Sequence, residues 1–318
     1  MTKNDYDIII IGAGPVGLSF ARALAKTNCK IALIEKQPEK QIKNPSYDGR
    51  EIALTHLSQK LMQNLDVWDN IPQDQIAIIQ DAKVVNGKSP YSLDFYGFET
   101  SKEHLGFMVS NHLIRKGSYD AVKPYFKKNV TLLADTEVKA LNTRHNEASV
   151  ELADGTVLKT SMIVSADSRF SRTRQMMGIS TDMLDFGRTC IVCKMSISGE
   201  HDDTALECFH YDRTLAILPL NNKEVSVVIT LDSQESDDLL SMNAKEFAKD
   251  IEERAQNQFS KMKLTTDRIS YPLTATYAKT FYKKRYAVIG DAAVGMHPVT
   301  AHGFNLGLQS AHTHCHKN

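Results

Sequence analysis

Apolar residues in this chain come in short runs whose period shifts between strand-like and helix-like. Tyr6–Ile11 is a nearly continuous β-branched run, the pattern of a strand buried on both faces of a parallel sheet. From Leu18 to Lys26 the apolar positions, among them Leu18, Ala21 and Ala25, recur at helical spacing. Lys30–Ile34 is a second β-rich run. Strand, helix and strand in that order predict a parallel pair joined by a right-handed crossover.

The same reading predicts helices over Ser58–Trp68 and His112–Phe126, and strand and turn over Asp81–Phe95, with Asn86 and Gly87 forming a hairpin-type turn. Val130–Leu133, Glu137–Asn142 and Ser149–Leu152 are strand-like, Asp154 and Gly155 mark another tight turn, and Met162–Ala166 returns to the buried-strand pattern. Residues of about 185 to 275 change character. Cys190–Ser198, Leu206–Tyr211, Leu215–Leu218 and Glu224–Leu231 read as successive strands, followed by a helix over Ala244–Phe259. Tyr286–Ile289 is the last short buried strand, and Gly290 and Asp291 follow it. The expected fold class is therefore α/β, a Rossmann-like unit into which a largely antiparallel sheet is inserted.

Composition narrows the function classes. At 318 residues the chain suits one large α/β unit with a smaller second domain. A content of 42% hydrophobic and 24% charged residues excludes a mainly disordered chain. Lys plus Arg and Asp plus Glu number 38 each, so the chain lacks the electrostatic footprint of a nucleic-acid binder. No apolar run approaches the roughly 20 residues that span a bilayer, and no secretory signal opens the chain. A cytoplasmic protein is expected, with any membrane contact peripheral, at the inner face. Five scattered cysteines suit a reducing compartment. Cys190 and Cys193 match the CxxC spacing, but residues three apart on a strand point to opposite faces, so no metal site is expected there.

The first chemical motif is Gly12, Ala13, Gly14, Pro15, Val16, Gly17, placed between a predicted strand and a predicted helix. Gly12 permits the tight turn, Gly14 lets backbone approach a pyrophosphate, and Gly17 allows close helix–strand packing. The helix start supplies free N–H groups and the positive end of a dipole. Glu35, at the end of the second strand, can accept ribose hydroxyls, with Lys36 beside it. The motif alone does not separate FAD from NAD.

Other segments make that choice. Val164–Arg174, containing Asp167, resembles the Asp-Gly motif of the flavin aromatic hydroxylases. Tyr286–Ala293 resembles their Gly-Asp motif, His297–Leu308 the loop and helix start after it, and Asp48–Leu54 their arginine-bearing segment. The chain is thus identified as a member of the FAD-dependent aromatic hydroxylase superfamily, and within it is most similar to the ubiquinone-biosynthesis hydroxylases, the UbiH, UbiF and UbiM group. The resemblance implies an FAD-binding domain from residues 1–75, 105–184 and 276–318, and a substrate-binding domain from 76–104 and 185–275.

The resemblance also implies site roles. Asp291 would bond FAD ribityl hydroxyls (or serve only as a helix N-cap), and Gly290 precedes it. Arg50 would lie along the flavin or pyrophosphate, and Arg115 takes a position where relatives carry an FAD-contacting Gln or Arg. Pro298 and the N–H groups of Gly303, Phe304 and Asn305 would face the flavin's pyrimidine edge, where a helix start stabilises negative charge on reduced flavin. Asp167 is expected to be a cofactor residue, although Ser168 follows it where relatives carry Gly; a turn that needs positive φ would be strained there. The Leu215–Leu220 run matches a segment that lines the substrate pocket in relatives, with plain sheet core as the alternative. His210 and His302 are candidates to meet a phenol proton, or are structural.

The implied activity is hydroxylation of an aromatic ring with O2. FAD is reduced by NAD(P)H, oxygen adds at flavin C4a, and the hydroperoxide's distal oxygen passes to the ring in a dry pocket. The expected substrate is a prenylated phenol or quinone precursor in ubiquinone biosynthesis, with proteins of that pathway as candidate partners. The alternatives are a hydroxylase of small soluble aromatics and a truncated, non-catalytic flavoprotein, because relatives continue beyond Leu308 with further helix. His312 and His316, four apart, have the spacing of shared metal ligands, but a bland tail is the expected reading.

Overall fold

The computed structural model describes residues 4–87, 89–297 and 302–315, with backbone alone for His302 and for 312–315. In the parallel sheet, Tyr6–Ile11 lies between Ile31–Ile34 and Val157–Ser165, and Val130–Leu133 and Tyr286–Val288 extend the two sides. One face of it, including Ile10 and Leu33, packs under helices that contribute Leu18, Tyr119, Val122 and Ala311. The other, including Ile9, Ile11 and Ile34, is covered by Val138, Val150 and Leu152 from a hairpin. Burial on both sides explains why these strands read as continuous apolar runs instead of alternating ones.

A second, larger sheet runs in the order Val294–Gly295, Ile269–Ala278, Thr181–Ile197, Glu224–Asp232, Arg213–Pro219, Thr204–Phe209, Asp81–Asn86 and Ser92–Tyr96. Its pairings are antiparallel except that Asp81–Asn86 runs parallel to Thr204–Phe209. One face, with Ile191, Cys193, Leu215 and Ile229, forms a core with Phe247 and Ile251 of the helix Ala244–Arg254. Cys190 belongs to a different cluster on the opposite face, so the CxxC pair is split across the sheet.

A third sheet was not legible from the pattern. Glu51–Leu54, Gly106–Ser110 and Ile76–Ile79 form it, all antiparallel. Leu54, Phe107 and Val109 face a helical cluster with Leu61, Trp68 and Leu308. Met108, Ala77 and Ile79 face Ala205, Leu218 and Leu220. Strands of four or five residues are too short for a period to be read from them.

Other boundaries moved for local reasons. The helix read over Ser58–Trp68 is His56–Asn64, capped by Thr55, whose side chain accepts from the Ser58 N–H, and it ends before Asp66, which has φ 55°. The helix read over Ala244–Phe259 stops at Arg254, because Gln256 and Asn257 take positive φ, and a separate helix, Ser236–Ser241, precedes it. The strand expected from Cys190 begins at Thr181, and its exposed first half offers no buried face to mark it.

Candidate functional site

Three parallel strands surround the first one's carboxyl end, and their register decides what meets there. Ile11 is level with Ile34 and Ser165, and Ser165 is level with Val288. The residues that leave these strands, Gly12–Gly14, Glu35, Asp167 and Gly290–Asp291, therefore emerge along one edge of the sheet. In open α/β sheets that edge is where ligands bind.

The glycines divide their tasks as the motif predicts. Gly12 has φ 107°, and a Cβ there would meet the Ala166 carbonyl oxygen at 2.4 Å. A Cβ on Gly17 would fall 2.0 Å from the Gly12 carbonyl oxygen, so helix and turn touch backbone to backbone. A Cβ on Gly14 would meet nothing within 4 Å. That open side adjoins the start of helix Pro15–Ala25, which has Pro at its first position and no side-chain cap on its free N–H groups. Ala13 and Val16 complete the turn, and Val16 packs against Gly290 and Gly307. Glu35 Oε2 accepts the Ala13 N–H at 2.7 Å, and Oε1 accepts the Gln37 N–H at 3.0 Å. The Arg115 guanidinium donates to Gln37 Oε1 at 3.3 Å, which brings Arg115 beside the Glu35 turn, and Lys36 is exposed next to it.

On the other flank, Asp167 Oδ2 lies 3.0 Å from the Thr173 hydroxyl, while Oδ1 is buried without a partner among the described residues. Ser168 is not among the residues with positive φ, so the strain expected of a Ser in Gly's place is absent. Asp291 keeps 47% of its side chain exposed, with Arg169 Nη2 3.8 Å from Oδ2. The Gly303 backbone comes close enough that a Cβ there would sit 3.8 Å from Asp291 Oδ1. Phe304 packs toward the helical cluster. Asn305 has a structural duty: its side chain is buried, accepts from the Thr55 N–H at 3.2 Å and donates to the Ala53 carbonyl at 2.9 Å. Pro298 lies outside the described residues, as do His316 and the side chains of His302 and His312.

Arg50 donates to Asp48 through Nε at 3.1 Å and Nη2 at 2.5 Å, and its guanidinium lies 5.8 Å from the centre of the Tyr271 ring. Burial works against the Asp48 carboxylate, but Arg50 and the Asn111 amide at 2.7 Å hold it below the usual range. The Tyr271 hydroxyl donates to the Asp48 carbonyl. Arg50 is thus fixed over the large sheet. Beneath it, Lys194 Nζ is 2.8 Å from Glu51 Oε1, the Glu51 side chain is 2% exposed, and Ser110 Oγ donates to the same carboxylate at 2.7 Å.

Several of these groups escaped the sequence reading. Arg169 pairs with Asp291, and buried Arg174 donates to the Ala292 carbonyl at 2.6 Å, tying the two motifs together. A run with arginines at 169, 172 and 174 was the available signal. Asp48 lay inside the arginine-bearing segment without a role of its own, and Asn111 and Tyr271 gave no signal, because they meet it from distant segments. The Leu215–Leu220 run splits by alternation: Leu215 and Ile217 are core, whereas Leu218 faces the small sheet. His210 has a buried Nε2 without a hydrogen-bond partner among the described residues.

The FAD binding domain family matches residues 5–317. Ubiquinone hydroxylase UbiM of Neisseria meningitidis is 47% identical over 309 residues, covering 96% of this chain and 67% of that protein. The chain belongs to the FAD-binding family of the ubiquinone hydroxylases. Ubiquinone hydroxylase UbiL of Rhodospirillum rubrum is 32% identical over 95% of the chain and 70% of its own length. The crystal structure of Pseudomonas aeruginosa PqsL in complex with 2-aminobenzoylacetate shares the fold, with a TM-score of 0.83 over 98% of this chain and 85% of that one at 15% identity. Membership makes the chain an FAD-dependent oxidoreductase of the monooxygenase class.

The residues present fit FAD. Gly14 leaves room for phosphate where the helix start offers donors, and the exposed Asp291 carboxylate offers acceptors. Among the described residues, no group of His, Cys, Asp and Glu could hold a metal ion, and no helix is long and apolar enough to cross a membrane.

Proposed function

We propose that this flavoprotein hydroxylates the aromatic ring of a prenylated phenol or quinone precursor in ubiquinone biosynthesis, using O2 and NAD(P)H. The observation that carries the reading is the convergence of Gly12–Gly17, Glu35, Asp167 and Asp291 on one sheet edge, next to the partly open face of a large sheet. The 47% identity to a ubiquinone hydroxylase supports the substrate class. Bound reduced flavin supplies the oxygen-activating chemistry.

The chain's residues bind and orient. N–H groups at the start of helix Pro15–Ala25 hold the pyrophosphate, Glu35 accepts ribose hydroxyls, and Arg115 flanks that end. Asp291 accepts ribityl hydroxyls and Asp167 stands beside the phosphate turn. Arg50, steered by Asp48, lies along the cofactor. The start of helix His302–Cys315, at Gly303 to Asn305, stabilises negative charge on the pyrimidine edge. Apolar side chains of both sheets exclude water from the reacting atoms. Partner proteins of the same pathway and peripheral contact with the membrane that carries a prenylated substrate belong to this reading.

The test is the flavin-to-protein ratio of the purified chain, followed by substrate-dependent NAD(P)H oxidation and product analysis with long-tailed and tail-less phenols. Near-stoichiometric FAD that drops at least tenfold in affinity in Asp291→Ala is expected, with hydroxylated product from the tailed phenol. A chain that folds but takes up no FAD, or hydroxylates only tail-less phenols, would sink this reading.

A further inference from the structure

The large sheet has one face sealed against the helix Ala244–Arg254 and one face partly open, and the strand registers define what lies on the open side. Leu206, Cys208, Leu215 and Ile217 belong to the sealed core. Their alternates Ala205, Glu207, Ala216 and Leu218 therefore point the other way. One row across that face reads Leu93, Val84, Glu207, Ala216, Val228, Val192 and Ile269. A parallel row, with Ala205 and Leu218, is covered by Met108 and Ala77 of the small sheet.

The segment carrying Arg50 closes one end of the Glu207 row. Gly49 sits so tightly on it that a Cβ would meet Val192 Cγ2 at 2.7 Å and Ile269 Cδ1 at 3.1 Å. Val228, Ala216, Glu207 and Val84 then stay half-exposed, and Leu93 and Phe95 at the far edge are 59% and 46% exposed. From Val192 to Glu207 there are three strand spacings, about 14 Å. The result is an apolar floor that starts under the arginine-bearing segment and ends in open, apolar surface. Glu207 is its one carboxyl. Val84 and Ala216 across the strands, and Ala205 and Phe209 along its own, are uncharged, and among the described residues it has neither an ion pair nor a hydrogen-bond partner.

We propose that Glu207 is the polar contact of the substrate groove, hydrogen-bonding an oxygen on the substrate ring while an apolar tail leaves over Val84, Leu93 and Phe95. The inference rests on the proposed reading of the substrate as a tailed phenol or quinone, and adds the residue that recognises its ring. An unpaired carboxyl on an apolar floor costs desolvation, and a ligand oxygen with its proton offsets that cost. Burial also pushes the Glu207 carboxyl up to about 7, so the neutral, proton-donating form is accessible near neutral pH.

The experiment titrates FAD-loaded chain with a methoxyphenol bearing a long alkyl tail, and reads the dissociation constant from the perturbed flavin absorption. Glu207→Gln, which keeps a hydrogen-bonding group, should bind within about threefold of wild type; Glu207→Leu should bind about tenfold more weakly at an unchanged melting temperature. Ala216→Phe, which fills the floor beside Glu207, serves as an independent variant and should also weaken binding. Unchanged affinity in Glu207→Leu, or in Ala216→Phe where the first variant does not fold, overturns the assignment of Glu207 alone. A wild-type holoprotein whose flavin responds to no phenol or quinone overturns the substrate reading and this assignment with it.

Discussion

At the residue scale, Gly14 and Gly17 show how one motif separates binding from folding. Gly14 has open space where its side chain would be, and Gly17 has a carbonyl 2.0 Å away. Gly14→Ala should cost the fold no more than about 1 kcal/mol, because its φ of −70° suits any residue. Its methyl would nevertheless intrude where phosphate approaches, so flavin retention should fall. Gly17→Ala cannot be accommodated without moving backbone, and should cost about 1–3 kcal/mol or more. Urea melts of the FAD-free variants, with flavin content alongside, distinguish the two. Equal destabilisation by both would contradict this division. None of this depends on a neighbour distant in sequence except the Ala166 carbonyl over Gly12, which is why the motif was readable at once.

At the element scale, the Lys194–Glu51 pair joins the small sheet to the large one. Lys194→Met would leave a carboxylate that is 2% exposed without its cation, a change worth about 3–5 kcal/mol. Lys194→Met combined with Glu51→Leu should recover most of it. Burial outweighs the pull of Lys194 and raises the Glu51 carboxyl above its ordinary 4.5. Its contribution to stability is then fully present below 4.5 and is lost as pH rises through the raised folded value. Relative to wild type, Glu51→Gln should therefore gain stability as pH increases. Urea midpoints of the two proteins between about pH 5 and 7.5 measure that slope, and a difference that is flat or shrinks with pH would refute it. Nothing in the sequence flagged this pair, since Glu51 lies on a strand too short to be recognised and Lys194 on a strand whose neighbours in space the pattern does not name.

At the scale of the whole molecule, the proposed cofactor edge draws on segments from Gly12 to Asn305, so FAD held there would bind the folded chain and have no counterpart site in the unfolded one. Free FAD at a hundredfold excess over its Kd should stabilise by about 2.7 kcal/mol, raising Tm by several degrees. The same shift should be largely absent in Asp291→Ala. A wild-type Tm that ignores FAD would mean that the edge does not assemble a site. The two large sheets have separate cores, one around Ile10 and Leu33 and the other around Ile191 and Leu215. Arg169 bridges them, donating to the Thr274 carbonyl of the large sheet at 2.8 Å and pairing with Asp291 at the parallel-sheet edge, so loss of flavin and loss of contact between the sheets should be coupled.

By itself the sequence determined the βαβ unit, its glycine turn, the acid at Glu35 and the family. These depend on spacing within about 25 residues or on whole motifs, and local sterics and hydrogen bonding dictate them. It also anticipated the large sheet, because strands with one core face and one open face alternate visibly. Only tertiary structure decided which carboxyl ends lie level, that Arg169 and Arg174 tie Asp291's loop to Asp167's, and that Ser168 needs no positive φ. Only it revealed the small sheet, whose strands are four or five residues long, and the open row that carries Glu207. Those features are set by strand register between distant segments, and the chemistry of a contact is invisible in sequence until packing chooses its partner.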